Sequence, residues 1–259
     1  MPQITVITVC SKDLVGLKKT VDSVLSQSYP NLSMVIIDDG QSDEITTYLQ
    51  TLKNPSISWL SESDDGIYNA MNKGVKKAVH ADWLIFLNTG DTFAEENIIQ
   101  RAFSMPDDYV GKTILFGKSL SYFGNKYTLR WPEFNSQRPD FFLTRMPNHQ
   151  ACFISAEFAR ENLYDEAYQY LADTKFLRAC FGEGRYTELP FVVAKFELGG
   201  ASNWHPHFQH ALRLCEESRS LSGKKWQPYF SYFSKTIFQV ILRRDLYFTV
   251  LLFWLSIKR

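Results

Sequence analysis

Over the first ninety residues, fully apolar runs alternate with amphipathic stretches. Ile4–Val9 is apolar and β-branched, the pattern of a strand buried on both faces. Asp13 stands ahead of Leu14, Leu17, Val21, Val24 and Leu25, apolar positions at helical spacing that it can cap, and Tyr29-Pro30-Asn31 stops that helix. Met34–Ile37 predicts a second buried strand, ending in Asp38-Asp39-Gly40. A short helix over Glu44–Leu52, a weaker strand at Ser56–Leu60 and a helix over Ile67–Val79 follow. Trp83–Leu87 is another apolar strand, ending in Asn88-Thr89-Gly90-Asp91. This order implies a parallel sheet with helices on both faces, whose ligands bind at the carboxyl ends of the strands. Asp38-Asp39 and Asp91 both fall at such ends.

After residue 110 the pattern changes. Thr113–Gly117 and Ser121–Leu129 predict antiparallel strands joined near residue 120. Residues 131–150, with Pro132, Pro139 and Pro147, read as a loop. Ala151–Ser155 reads as a strand, Ala156–Asn162 and Leu171–Phe181 as helices, and Tyr186–Phe196 as a strand leading to Gly199-Gly200-Ala201-Ser202. Pro206 opens a helix running to about Leu221. The expected fold class is α/β: a mostly parallel central sheet flanked by helices with a small antiparallel part in residues 1–222, and a helical C-terminal extension in 223–259.

Composition narrows the function. Lys+Arg 28 balance Asp+Glu 28, and this neutral total argues against nucleic acid as a partner. Cys10, Cys152, Cys180 and Cys215 are scattered without metal-ligand or disulfide spacing, as expected for reduced thiols in the cytoplasm. The N-terminus has no basic region of a signal peptide, and the longest apolar run, Leu246 to Ile257, falls short of the roughly 20 residues that cross a bilayer. Aromatic residues, at 15%, are the one excess.

Carboxylates at neighbouring strand ends suit a hard divalent cation, which takes oxygen ligands and leaves positions for substrate phosphates. The turn after the first strand, Cys10-Ser11-Lys12-Asp13, has no glycine-rich phosphate loop, so neither the dinucleotide-binding nor the nucleotide-triphosphate motif is present. Phosphate is therefore expected on a metal held by acidic residues rather than on a helix N-terminus.

Thr5-Val-Ile-Thr-Val, Val35-Ile-Ile-Asp-Asp-Gly, Glu62-Ser-Asp-Asp-Gly-Ile-Tyr-Asn-Ala-Met-Asn-Lys-Gly and Phe86-Leu-Asn-Thr-Gly-Asp resemble family 2 glycosyltransferases of the GT-A fold. Asn148-His-Gln-Ala, Leu171-Ala-Asp and Gly199-Gly-Ala-Ser follow in the family's order, so the resemblance spans about residues 3–203. The Gly66–Gly74 stretch is particularly similar to the branch acting in colanic-acid, capsule and O-antigen assembly. The resemblance implies that Asp38 hydrogen-bonds the nucleotide base, that Thr8 lies on the strand lining the base pocket, and that Asp64 and Asn72 embrace the ribose and donor sugar. Asn88 to Asp91 occupies the position of the family's DxD metal motif, reduced here to one carboxylate because Asn88 and Gly90 replace the usual residues; Asn69 is a second departure, from Asp. Asp91 is thus the expected ligand of Mn or Mg. Asp173 is the expected base and His149 its neighbour near the acceptor. The implied reaction is inverting transfer from a UDP- or GDP-sugar to a lipid-linked oligosaccharide. Tyr68, Tyr122 and Trp131 are candidate platforms for sugar faces, Arg130, Arg138 and Arg145 candidate phosphate contacts, and His205 a candidate late metal ligand. His207 and His210 complete that histidine cluster.

From Lys224 onward the bases Lys224, Lys225, Lys235, Arg243, Arg244, Lys258 and Arg259 face a single acid, Asp245, with aromatics interleaved. Such a segment is expected to lie in the plane of an anionic membrane surface, placing the enzyme at the inner face of the cytoplasmic membrane. Packing on the domain or on a second copy is the alternative, which leaves self-association open. The competing functional readings are a non-catalytic glycan-binding or scaffold member of a polysaccharide assembly complex, which the reduced metal motif favours, and a nucleotidyltransferase, which the missing phosphate loop disfavours.

Overall fold

The computed structural model describes residues 1–130, 146–198 and 208–222, together with Tyr247, Val250 and Leu251. Trp131, Arg138, Arg145, the Gly199–Ser202 motif, His205, His207 and most of the C-terminal extension lie outside the described residues.

The strands β1 (Ile4–Cys10), β2 (Leu32–Asp38), β3 (Ile57–Ser61) and β4 (Trp83–Phe86) pair in parallel in the order β3-β2-β1-β4. Every residue of β1 is buried, as its uninterrupted apolar run predicts. Helix α1 (Leu14–Leu25) is capped by the Asp13 side chain, which accepts from Gly16 N, and α2 (Asp43–Thr51) by Ser42. Helix α3 (Ile67–Lys77) starts behind Gly66, whose φ of 115° explains the glycine there.

Alternation along β1 sends Ile7 and Val9 to one face of the sheet and Ile4, Val6 and Cys10 to the other. The first face packs on α3, α6 (Ala156–Glu161) and α7 (Ala172–Gly182), and the second on α1, α2 and α4 (Ile98–Ala102). Gly74 is the point of closest approach of α3 to the sheet: a Cβ there would lie 2.4 Å from Ile7 Cγ2. Gly74→Ala should gain about 1 kcal/mol in helix propensity and lose up to about 3 kcal/mol to overpacking. Net destabilisation is expected, measurable as a lower urea midpoint; a midpoint at or above wild type would contradict this packing.

The second half departs from the expected hairpin. There is no turn near residue 120. Ile114–Phe123 is one strand, β6, and it turns at Gly124 (φ 55°) into β7 (Lys126–Arg130). The break in the apolar run at Gly117-Lys118 is a register shift against β9 (Tyr186–Glu197), not a chain reversal. A Cβ on Gly117 would meet Phe191 O at 2.9 Å, so the bare backbone lets the two strands close. β8 (Cys152–Ser155) runs antiparallel between β4 and the first half of β6, β7 covers the second half of that edge, and β9 pairs in parallel along the other edge. β5 (Thr92–Phe93) completes the nine-stranded sheet beside β9. α5 (Pro106–Tyr109) precedes β6, and α8 (Phe208–Ser222) packs behind α7. Tyr247 and Leu251 of the C-terminal extension pack against Phe123, Phe196 and Leu198. Among the described residues no helix is long and apolar enough to cross a membrane.

Candidate active site

The acidic turn after β4 is built mostly from uncharged contacts. Asp91 N donates to Asn88 O at 2.9 Å, and Gly90 turns with φ 93°, a conformation that L side chains rarely adopt. That backbone accounts for glycine where the family motif would have another residue. Thr20 of α1, fully buried, donates from Oγ1 to Asp91 O (2.8 Å) and accepts from Gly90 N (3.0 Å). Gln150 donates from Nε2 to Asp91 Oδ2 at 3.1 Å. Sequence reasoning passed over Thr20, whose signal is a polar residue on the buried face of α1. It took Gln150 only as His149's neighbour.

A second group faces this turn from across the β4–β8 pair. His149 opens a short 3-10 turn, His149–Ala151, ahead of β8, and its Nδ1 lies 3.3 Å from Asp173 Oδ2. Asp173 stands in the first turn of α7, where the helix dipole favours an acid. Its Oδ1 accepts from Thr174 N at 2.6 Å and lies 3.4 Å from the Tyr68 hydroxyl, which donates to Tyr170 O at 2.9 Å. The side chains of His149 and Asp173 are 11% and 27% exposed, so the pair is held but reachable. The adjacent residues His149 and Gln150 therefore reach both groups, Gln150 bonding Asp91 and His149 meeting Asp173, whose other oxygen lies beside Tyr68. Tyr68 itself is buried and stacked on Tyr164 at 5.5 Å, which corrects its assignment as a platform for sugar. The Tyr122 ring carries Lys19 over it at 4.8 Å, and its hydroxyl hydrogen-bonds Lys19 and Glu197.

The remaining expected site residues lie toward the ends of β1, β2 and β3. Asp38 is fully buried: Oδ2 accepts from the Ser61 hydroxyl at 2.6 Å and Oδ1 faces the Cys10 thiol at 3.8 Å. Burial raises its pKa, against the pull of the Ser61 hydrogen bond. The neighbouring Asp39 is half-buried, with Oδ1 accepting from Gln41 N. Thr8 is also fully buried and donates to Leu87 O at 2.7 Å. Asp64 is half-buried and holds Gly66 N at 2.9 Å, shaping the turn into α3. Asn72 is buried, and both ends of its amide bind the 164–166 segment: Nδ2 donates to Tyr164 O and Glu166 Oε1, and Oδ1 accepts from Tyr164 N. Asn69 donates to the other Glu166 oxygen at 2.9 Å, and these two amides hold the Glu166 carboxyl below its usual range. The four cysteines are free and buried, and burial raises each thiol.

Electrostatically, Asp91 is the outlying group. Burial pushes its carboxyl from 3.8 up to about 7, with His149, Gln150 and Lys19 among the groups that oppose the rise. No three His, Cys, Asp or Glu side chains among the described residues are grouped to hold a metal. Two buried polar atoms here nevertheless lack a hydrogen-bond partner, Asn88 Oδ1 and His149 Nε2. Asp91 and Asn88 together offer oxygens from one turn, the donor type a hard divalent cation takes when phosphates complete its shell. The donor set fits such an ion. His210 packs its ring on Tyr170 at 5.7 Å.

Comparison with solved structures defines the fold. The S. aureus TarS 1-349 structure in complex with UDP-GlcNAc aligns with a TM-score of 0.64 at 14% identity, covering 92% of this chain and 81% of that one. The mannosyltransferase PcManGT from Pyrobaculum calidifontis, in complex with GDP-Man and Mn2+, gives 0.59 at 13% identity, covering 91% and 70%. The fold is the GT-A fold of glycosyltransferases. Sequence supplies the family. The model for glycosyl transferase family 2 matches residues 5–160, and an uncharacterized glycosyltransferase of Mycobacterium tuberculosis is 30% identical over 204 residues, 78% of each chain. This chain belongs to glycosyltransferase family 2.

Proposed function

We propose that this chain moves one sugar from a nucleoside-diphosphate donor to a hydroxyl of a glycan acceptor with inversion, and that Asp173 is the base. The observation that carries the reading is the Asp173–His149 pair, held within hydrogen-bond reach and partly open at the carboxyl edge of the sheet. In this reading the acceptor hydroxyl gives its proton to the Asp173 carboxylate while its oxygen attacks the anomeric carbon. The bond to the new glycan forms as the bond to the diphosphate breaks on the opposite face, so one displacement inverts the configuration. General base catalysis requires the carboxylate within about 3 Å of the attacking oxygen. If His149 donates from Nδ1 to Asp173, its Nε2 is an acceptor, buried and without a partner of its own.

Asp91 and Asn88 Oδ1 would hold Mn or Mg, which supplies charge neutralisation for the departing diphosphate. The UDP-GlcNAc bound by TarS and the GDP-Man and Mn2+ bound by PcManGT support a UDP- or GDP-sugar and a divalent cation. On the nucleoside side, the half-buried Asp64 stands for a ribose contact, with the buried Asp38, Thr8 and Asn72 fixing the strands and the helix beneath it. A scaffold protein has no use for a base, an imidazole and an acid turn joined in this way. The test is thermal stabilisation by a panel of UDP- and GDP-sugars with manganese, followed by nucleoside-diphosphate release; a chain that neither binds nor turns over any of them is not this enzyme.

We further place the acceptor on a lipid carrier in bacterial surface polysaccharide synthesis, with the basic aromatic extension against an anionic leaflet. The composition of that extension supports the reading. The full chain should co-sediment with phosphatidylglycerol vesicles at low salt and release at high salt. Equal binding to phosphatidylcholine vesicles would sink the electrostatic part.

A further inference from the structure

Glu217 sits on the buried side of α8, only 5% exposed, and its charge is aimed at backbone. Oε1 accepts from Gln169 N at 2.7 Å, and Oε2 accepts from Tyr170 N and Leu171 N, both at 3.0 Å. Three consecutive amides thus converge on one carboxylate, immediately before the first residue of α7. That helix has no cap of its own: Leu171 occupies the N-cap and has no side-chain bond to give. A carboxylate at this point satisfies donors that would otherwise be orphaned, and its charge suits the positive end of the helix dipole. Arg213, one turn earlier on α8, approaches Oε1 at 3.4 Å and donates to Ala167 O at 3.0 Å. Tyr168 and Ser220 share a hydrogen bond of 2.9 Å, and Arg178 of α7 donates to Leu221 O. Helix α8 is fastened along the whole segment that delivers Asp173.

We propose that Glu217 is a positioning residue of the transfer reaction, holding the 169–171 turn so that Asp173 enters the site at a fixed angle. The inference rests on Asp173 as the base. Glu217 reaches Asp173 by two routes. Along the chain, the clamped turn sets where α7 begins, and Asp173 is its second residue. Across space, Glu217 fixes Tyr170 through its N–H, and the carbonyl of Tyr170 accepts a hydrogen bond from the Tyr68 hydroxyl, which stands beside Asp173 Oδ1. If the turn loosens, both the helix start and the Tyr68 hydroxyl shift together. Nothing in Glu217 touches a reacting atom, so its loss should act on the chemical step rather than on donor capture.

The test pairs Glu217→Gln with Glu217→Ala. The first keeps the shape of the side chain but turns an amide N–H group toward backbone donors; the second removes the contact. Hydrogen exchange across residues 169–175 should accelerate at least ten-fold in both, while α4, remote from the clamp, keeps its protection. Nucleoside-diphosphate release from UDP-GlcNAc and from GDP-mannose should show kcat lowered about ten-fold or more, with donor KM within two-fold. Combined with Asp173→Asn, Glu217→Gln should cost no further turnover. Unchanged exchange overturns the clamp. Faster exchange with unchanged kcat, a loss confined to KM, or an additive double variant overturns the positioning role. Full turnover by Asp173→Asn alone would instead remove the base, and exchange, which needs no substrate, would still decide whether Glu217 holds the turn.

Discussion

Asp173→Asn is expected to lower sugar transfer by about 10²- to 10⁴-fold, the range a general base contributes, while donor binding stays within two-fold of wild type. The asymmetry follows from where Asp173 lies. It belongs to the group with His149 and Tyr68, whereas Asp38, Asp39 and Asp64 lie toward the ends of β2 and β3. Asn retains an oxygen for Thr174 N and fills the same volume, so folding should be nearly unaffected. Tyr68→Phe is the control for geometry. It leaves the carboxylate in place and removes one neutral hydrogen bond of about 1 kcal/mol, so a loss below about ten-fold is expected. Titration calorimetry with nucleotide sugar and manganese, set beside turnover, separates the outcomes. An Asp173→Asn enzyme with normal kcat would end the assignment.

Asp91 is expected to cost the cation-free protein stability at neutral pH and above. Its folded pKa, about 7, lies above the ordinary 3.8, so folding favours the protonated form. That contribution is complete below about pH 4 and is lost as the pH rises through 7. A shift of that size corresponds to at most about 4 kcal/mol. Exposed acids held low, such as Asp165 beside Lys175 and Glu166 beside Asn72, slope the other way, but solvent screens them. Urea unfolding in EDTA from pH 5 to 8 should therefore show Asp91→Asn gaining on wild type as pH rises, ending more stable by about 1–4 kcal/mol. The same substitution should abolish cation-dependent binding of UDP or GDP, because an amide adds no charge to hold the ion. Below pH 7 the wild-type affinity for manganese should weaken by about ten-fold per pH unit, as the proton competes for the carboxylate. Parallel pH profiles for the two proteins would show that Asp91 ionises freely. Intact manganese-dependent binding by Asp91→Asn would place the cation elsewhere.

β1, β2 and β4 were legible because each is largely buried and reads as one apolar run, while β3, a half-buried edge strand, left only a weaker pattern. Asp38 and Asp91 were legible as acids ending such runs. β6 was not. Gly117-Lys118 breaks its apolar pattern and mimics a turn, whereas the real reversal at Gly124-Asn125 lay inside what read as a strand. Asp173 and His149 could be placed only through the family motif, since an acid opening a helix and a histidine in a loop say little alone. Thr20, Gln150 and Glu217 escaped for a different reason. Each acts on a partner 46 or more residues away, and Thr20 and Glu217 reach backbone atoms that any sequence would supply. Asp38 and Thr8 were legible by position, yet their side chains serve Ser61, Cys10 and Leu87 within the fold.

The placement of β9 limits how this protein can be shortened. The family match ends at residue 160, ahead of α7 and β9. β7 and β8 share one edge of β6, and β9 alone covers the other from Ile114 to Tyr122. A fragment ending at 160 would lack Asp173 and present a long row of unpaired amides and carbonyls in the middle of the sheet, a template for strand addition between molecules. Expressed alone, residues 1–160 should aggregate. A co-expressed fragment carrying residues 161–259 would be the natural complement, supplying both the missing strand and Asp173.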